Sequence, residues 1–477
     1  MTEAVPAELK SRLEPHGQTH VLRWWGELSS GERQRLARQI ESLDLPRIAA
    51  LWKSKQQAGQ KSSAADLAEI ARRAVPPASI VRLPQTPAAR AEWQRAHKIG
   101  EGLLKAGQVG AILVAGGQGT RLGFDKPKGM FPIGPVSHAT LFQILAEQLL
   151  ARSRRAGKPI PYFVMTSDAT HEETVAFFHE HKFFGLPAGD VFFFEQGNMP
   201  AVDAATGQLL LSEKGSLSTS PDGHGGMLAA LAKAGLLDEM RRRGIEFLHY
   251  HQVDNPTAIV CDPVFLGFHA ERGAEMSIKV VAKRSAGERM GVAVDVDGRT
   301  QIIEYSDLPA DVAAQTDERG ELLLWAGSTA IHVFSRSFLD RVAHSDAALP
   351  FHIAHKKVPH CDEQGTSVSP QRENAYKFER FIFDALPAAQ RSLVLETDRA
   401  HEFNPVKNAS GDDSPDTARA ALVRLHQGWL REAGAIVDDQ TPVEISPLFA
   451  LDADDVRTKV ASRTRVAQPT FFGPPKT

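Results

Sequence analysis

A short apolar run, Val109-Gly110-Ala111-Ile112-Leu113-Val114-Ala115, opens directly into Gly116-Gly117-Gln118-Gly119-Thr120-Arg121-Leu122-Gly123, and then into Lys126-Pro127-Lys128-Gly129-Met130. An apolar run broken by glycines reads as a buried strand ending in a tight loop, and the chain beyond it repeats the alternation. Leu141 to Ala151 reads as helix, Tyr162 to Thr166 as strand, Glu172 to His181 as helix, and Val191 to Phe194 and Ile245 to Val253 as further buried strands. Buried strands joined by helical crossovers predict an α/β fold with a doubly wound, mostly parallel sheet. In such sheets ligands sit outside the carboxyl ends of the strands, where this loop lies. Glycines there let main-chain amides approach phosphate oxygens, and Arg121 and Lys128 add positive charge. The familiar templates fail: counting Gly-x-Gly-x-x-Gly from Gly117 puts Leu122 at the third glycine, and no Gly-Lys-Ser/Thr follows.

The first hundred residues read as a helical region. Ser29-Ser30-Gly31-Glu32 has the form of a capping box, followed by Leu36, Ile40 and Leu43 on one helix face. Trp24 and Trp25 read as packing anchors, and the stretches Gln56 to Ser63 and Val75 to Pro87 as connecting chain. Met276 to Val281, Gly291 to Val296 and Gln301 to Tyr305, with a turn at Asp297-Gly298, read as an antiparallel insertion. A polar stretch from Asn408 to Asp416, a helix from Thr417 to Ala433 and a strand-like tail from Val443 to Leu451 close the chain. The expected division is 1–100 as the helical region, 101–400 as the catalytic domain and 401–477 as a small C-terminal domain.

The 55 Lys and Arg against 58 Asp and Glu, a net charge of -3, disfavour a dedicated nucleic-acid binder. Cys261 and Cys361 cannot build a disulfide framework, the opening Met-Thr-Glu-Ala-Val-Pro lacks signal-peptide character, and no apolar run approaches the ~20 residues that span a bilayer. A cytoplasmic protein without a membrane partner is expected. Oligomeric state is not readable from these features.

The glycine-rich segment resembles the signature of nucleotidyltransferases that join a nucleoside triphosphate to a sugar 1-phosphate, in particular the eukaryotic-type UDP-N-acetylhexosamine pyrophosphorylases. Further blocks resemble that family's in the same order: Phe194-Glu195-Gln196-Gly197, Pro221-Asp222-Gly223-His224-Gly225-Gly226, Val253-Asp254-Asn255, Glu304-Tyr305-Ser306, Lys377 through Asp384, and Pro405-Val406-Lys407-Asn408. His20 to Trp25 and Glu444 to Leu448 extend the likeness over nearly the whole chain.

The resemblance implies UTP and a sugar 1-phosphate as substrates, giving a UDP-sugar and pyrophosphate with Mg²⁺ as cofactor in a Rossmann-like domain. It assigns Ala115, Gly116, Gly117, Gly119 and Thr120 to the nucleotide, with Arg121, Lys128 and Lys407 as catalytic cations. Gln196 would hydrogen-bond uracil, Pro221 and Gly223 would lie along base and ribose, and Asp254 would serve nucleotide and metal. His224, Gly291, Glu304, Ser328, Lys377, Phe381 and Phe383 would line the sugar, the two phenylalanines alternating on one strand-like face. Ionised phosphate needs no strong general base, so catalysis reduces to positioning and charge neutralisation.

The chain departs from the N-acetylglucosamine enzymes where His224 replaces an Asn and where Ser328 and Ile331 stand at two further Asn positions. N-acetylglucosamine 1-phosphate is the expected sugar, with glucose or galactose 1-phosphate, or a broad range, as the alternative. Two other classes stand further off: a non-catalytic nucleotide-sugar sensor, and a metal-dependent glycosyltransferase using Asp295-Val296-Asp297, whose Asp297-Gly298 is the commoner signal of a hairpin.

Overall fold

The structure, a computed structural model, describes residues 4–345 and 349–474, and the side chains of 58–66 lie outside that description. Residues 1–3 of the opening hexapeptide are likewise outside it. The chain forms two compact units, a smaller one of residues 4–69, 196–227 and 349–384 and a larger one of 70–195, 228–345 and 385–474.

The larger unit is built on a sheet of ten strands among the described residues: β1 (Ile80–Val81), β2 (Val109–Val114), β3 (Tyr162–Thr166), β4 (Val191–Glu195), β5 (Phe247–Gln252), β6 (Met276–Ala282), β7 (Val292–Val296), β8 (Arg299–Ile303), β9 (Ala326–Ser335) and β10 (Ser392–Glu396). The order across it is β1-β10-β6-β9-β5-β2-β3-β4. The pairs β5–β2, β2–β3 and β3–β4 are parallel, as are β1–β10 and β10–β6, while β9 runs antiparallel to both of its neighbours. The mostly parallel α/β expectation therefore holds. β2 and β3 are nearly continuous buried apolar runs because helices cover a parallel sheet on both faces.

Three local readings are corrected. Met276 to Val281 is no part of an antiparallel insertion: as β6 it lies inside the central sheet, parallel to β10, and only the β7–β8 hairpin stands off, joined to β9 through Val292 and Gly327. Gln56 to Ser63 is not a connector but the middle of helix Leu45–Arg73. Gln, Lys and Ala are good helix formers, and polarity alone does not stop a helix. Phe381 and Phe383 do not share a strand, since the strand Ala375–Glu379 ends before them and a 3₁₀ segment starts at Ile382.

The expected three-way division is not how the chain packs. Helix Pro87–Lys105 belongs to the larger unit, and so does the C-terminal part, with its own small core of Leu430, Val443, Ile445 and Val456. In the smaller unit, residues from the first fifty pack with Val202, Leu211 and Phe378 of later segments into one core that includes Trp25, Leu36 and Ile40. The Ser29–Glu32 capping box forms: the Ser29 amide donates to Glu32 Oε2 at 2.7 Å and the Glu32 amide to Ser29 Oγ at 3.4 Å. No helix of the described residues is long and apolar enough to cross a membrane.

Candidate active site

In the larger unit β2 and β5 are parallel neighbours, with Val114 opposite Gln252. The loop after β2 and the turn after β5 therefore emerge side by side at the carboxyl end of the sheet. The loop is closed on itself: the Gly119 amide donates to the Lys126 carbonyl at 2.9 Å and the Lys128 amide to the Gly117 carbonyl at 3.0 Å. Ser167, just past β3, adds a hydrogen bond from its hydroxyl to the Gly116 carbonyl at 2.8 Å. Ala115 is buried, while Gly117, Thr120 and Arg121 are exposed.

Lys128 is thereby aimed across at Asp254, with Nζ to Oδ2 at 3.8 Å and side chains 17% and 14% exposed. The Asp254 carbonyl accepts the Val406 amide at 2.8 Å, which brings the next residue, Lys407, to the same turn. Lys407 Nζ lies 5.6 Å over the Phe403 ring. Asn255, beside Asp254, is a brace: its amide donates to the Glu402 carbonyl at 2.8 Å, and its Oδ1 accepts from Thr257 and Asn404. Arg121, Lys128, Asp254 and Lys407 are thus carried by elements of one unit, with Lys128 on the Asp254 carboxylate and the backbone of Lys407 beside the same turn.

Asp413 is a residue that sequence reading missed. Its carbonyl accepts the Lys407 amide at 2.6 Å, and burial pushes its carboxyl up against the opposing pull of Lys407 and Arg284. It sits in a polar stretch with nothing to mark it, apart from a left-handed backbone at φ 54° that only the fold reveals.

The same unit assembles Gly291, Glu304 and Ser328. The Ser328 amide donates to the Gly291 carbonyl at 2.8 Å. A Cβ on residue 291 would stand 2.7 Å from a Glu304 carboxylate oxygen and 2.7 Å from Ile302 Cγ2, so a larger residue there would displace the carboxylate. Ile331, by contrast, is a core residue at 1% exposure. Asp295 and Asp297 are structural. Asp295 accepts from the Ala78 amide and the Thr300 hydroxyl, and Asp297, at positive φ in the hairpin turn, pairs with Arg73 at 2.7 Å. This removes the pair from metal binding.

In the smaller unit Gln196 is 9% exposed, and its amide has no hydrogen-bond partner among the described residues, which leaves both donor and acceptor free for an imide edge. Pro221 ends a short strand paired with Asn198–Pro200. Gly223 has φ 83°, and a Cβ there would meet the Arg380 carbonyl oxygen at 2.4 Å. The glycine is thus demanded by the Arg380 backbone, whose amide donates to the Asp222 carbonyl at 2.8 Å. Asp222, whose carboxyl burial raises, forms an ion pair with Arg380 beneath the loop. Neither partner was singled out from sequence.

His224 stacks on Phe381 with centroids 5.3 Å apart and lies 5.7 Å from Phe383. Its Nδ1 accepts the Ile382 amide at 3.2 Å, and burial lowers its pKa to about 4. The ring is therefore neutral near pH 7, with its proton on Nε2 and that nitrogen a donor. Behind Phe381, His352 Nε2 meets Asp384 Oδ2 at 2.7 Å. Lys377 lies mid-strand in Ala375–Glu379, opposite Ala354.

Among the described residues no three His, Cys, Asp or Glu side chains cluster as a metal cage. Asp254 alone suits a Mg²⁺ that arrives on phosphate oxygens, since this ion keeps several waters and takes one or two carboxylates.

A glycine loop, two lysines and a carboxylate at the carboxyl end of a parallel sheet define an α/β nucleotidyltransferase. The family model for UTP–glucose-1-phosphate uridylyltransferase matches residues 55–468, and the chain belongs to that family. It is 38% identical over 441 residues to the UDP-N-acetylhexosamine pyrophosphorylase-like protein 1 of Homo sapiens, covering 90% of this chain and 86% of that one. It is 36% identical over 442 residues to the UDP-N-acetylglucosamine pyrophosphorylase of Saccharomyces cerevisiae, covering 90% and 92%. The solved uridine diphosphate N-acetylglucosamine pyrophosphorylase of Trypanosoma brucei superposes with a TM-score of 0.81 at 27% identity, over 96% of this chain and 95% of that one.

Proposed function

We propose that the protein transfers uridylyl from UTP to N-acetylglucosamine 1-phosphate, giving UDP-N-acetylglucosamine and pyrophosphate. The observation that carries this reading is the Lys128–Asp254–Lys407 arrangement behind β2 and β5, with Lys128 Nζ 3.8 Å from Asp254 and the Val406 amide on the Asp254 carbonyl. The names of its relatives support the nucleotide and the amino sugar.

In the step, a sugar-phosphate oxygen attacks the α-phosphorus of UTP in line. One P–O bond forms as the bond to the β-phosphate bridging oxygen breaks, and pyrophosphate leaves with that electron pair. No covalent enzyme intermediate and no proton transfer from a side chain are required. Lys128 and Arg121 neutralise the departing β- and γ-phosphates, Lys407 meets the charge at the α-phosphate or sugar phosphate, and Gln196 holds uracil. Mg²⁺, when bound, supplies further charge neutralisation on the triphosphate, with Asp254 its carboxylate. Glu304 accepts from sugar hydroxyls, with Gly291 keeping its place open.

A second reading, in which glucose or galactose 1-phosphate is also used, is favoured by His224. With Nδ1 taken by the Ile382 amide, the ring offers its one donor, Nε2–H, about one atom further from the backbone than the amide nitrogen of an Asn held by the same Ile382 amide would. The test is pyrophosphate release from UTP, Mg²⁺ and a panel of sugar 1-phosphates. Release with N-acetylglucosamine 1-phosphate is expected. Release with glucose 1-phosphate alone refutes the amino-sugar assignment, and no release with any sugar refutes the enzyme and leaves a sensor.

A further inference from the structure

The larger unit contains a cavity of about 250 Å³ that none of the residues assigned to substrate lines. Its walls are mainly apolar, with Ile144, Ile259, Leu422, Leu425, Trp429 and Phe471 among them. One cation also lines it, Arg152 of helix Leu141–Ala156, which is only 6% exposed. Among the described residues Arg152 has no ion pair, and its Nε has no hydrogen-bond partner. The two carboxylates whose field reaches it are committed elsewhere: Asp262 to Lys279 at 2.7 Å and Asp452 to Arg155 at 3.0 Å. Arg152 thus brings to the cavity a cation whose Nε is a buried donor without a partner, a state that an anion would relieve.

The two glutamates of the wall already have partners. Glu444 accepts from the Val136 and Ser137 amides and from the Ser137 hydroxyl, and Glu147 from Gln143 and Ser446. His426 Nδ1 accepts the Ile445 amide at 3.2 Å. These two carboxylates hold the local potential down, so one guanidinium suits one negative charge and not a phosphate dianion. A cavity of about 150 Å³ is enough for benzene, and one larger than this but below drug-pocket size holds a fragment with one or two rings.

We propose that this cavity is a binding site for a small amphipathic organic acid, its single carboxylate seated on Arg152 and its apolar body against Leu422, Leu425 and Trp429. The site is separate from the substrate residues and does not depend on the activity proposed above, because it is tested by binding alone.

The probe is naphthalene carboxylate, with its uncharged carboxamide as control, measured by calorimetry and ligand-observed NMR on the full chain. The acid is expected to bind with a Kd below about 1 mM, with the carboxamide roughly 10- to 100-fold weaker, the range for a charge-assisted hydrogen bond. Saturating UTP leaves the acid bound. Arg152→Met keeps the volume, removes the charge and abolishes the preference for acid over amide, and Leu425→Trp, at the partly exposed side of the wall, blocks both probes. Equal affinity for acid and amide, an unchanged preference in Arg152→Met, binding retained in Leu425→Trp, or displacement by UTP each overturns the proposal. So does the absence of binding by the acid.

Discussion

Sugar preference is expected to turn on His224, and substitutions can separate its two nitrogens. Nδ1 is held as an acceptor by the Ile382 amide at 3.2 Å, and with a pKa of about 4 the ring stays neutral, so Nε2–H is a fixed donor. In His224→Asn the amide oxygen falls where Nδ1 was and keeps the Ile382 hydrogen bond. The amide nitrogen then donates from a point about one atom nearer the backbone, and the volume between Phe381 and Phe383 opens toward the acetamido group. In His224→Gln the amide nitrogen falls near Nε2, but the acceptor for Ile382 is lost. One gained or lost sugar hydrogen bond is worth about 1–3 kcal/mol, or roughly 5- to 150-fold in kcat/KM. The loss of stacking on the two phenylalanines costs about 0.5–1.5 kcal/mol of stability per ring pair. His224→Asn, more so with Ser328→Asn, should therefore raise the ratio of kcat/KM for N-acetylglucosamine 1-phosphate over glucose 1-phosphate by a factor in that range, while His224→Gln leaves the ratio near wild type. The assay is coupled pyrophosphate release at varied sugar phosphate, with thermal denaturation to show that each variant folds. A ratio unchanged within about twofold in a folded His224→Asn protein would refute the placing of this ring against the sugar.

Lys128→Ala should lower kcat/KM by roughly 10²-fold or more, since a lost contact to transition-state charge costs about 3 kcal/mol; a variant keeping half its activity removes Lys128 from the chemistry. Chelation by EDTA should abolish turnover, and Asp254→Asn should raise the Mg²⁺ requirement or eliminate activity, whereas full turnover in EDTA would exclude the ion. Buried His251 and His269, both with pKa lowered to about 3 by burial from the ordinary 6.5, stay neutral while the unfolded chain takes up protons. Their contribution is complete above that ordinary value and is lost as pH falls toward about 3. Each therefore costs about 2 kcal/mol by pH 5 relative to neutral pH, which denaturant titrations at the two pH values will read. A midpoint independent of pH over that window would contradict it.

The α/β class and the glycine loop were legible in the sequence because each is a local property. Strands β2, β3 and β5 announce themselves as short buried runs, and Gly116 to Lys128 carries its chemistry within a dozen or so residues. What lay beyond reach depends on partners distant in the chain. β6 reads as an outlying strand until β10, more than a hundred residues later, pairs with it, and the antiparallel direction of β9 shows only once it is paired with β5 and β6. The Asp222–Arg380 pair, the Ile382 amide that fixes the His224 tautomer, the carbonyl link from Asp413 to Lys407 and the unpaired charge of Arg152 have no sequence spacing to betray them. Periodicity and turn chemistry are set by neighbours along the chain, whereas hydrogen-bond partners and the protonation of buried groups are set by which surfaces exclude water together, and that is decided by the tertiary structure alone.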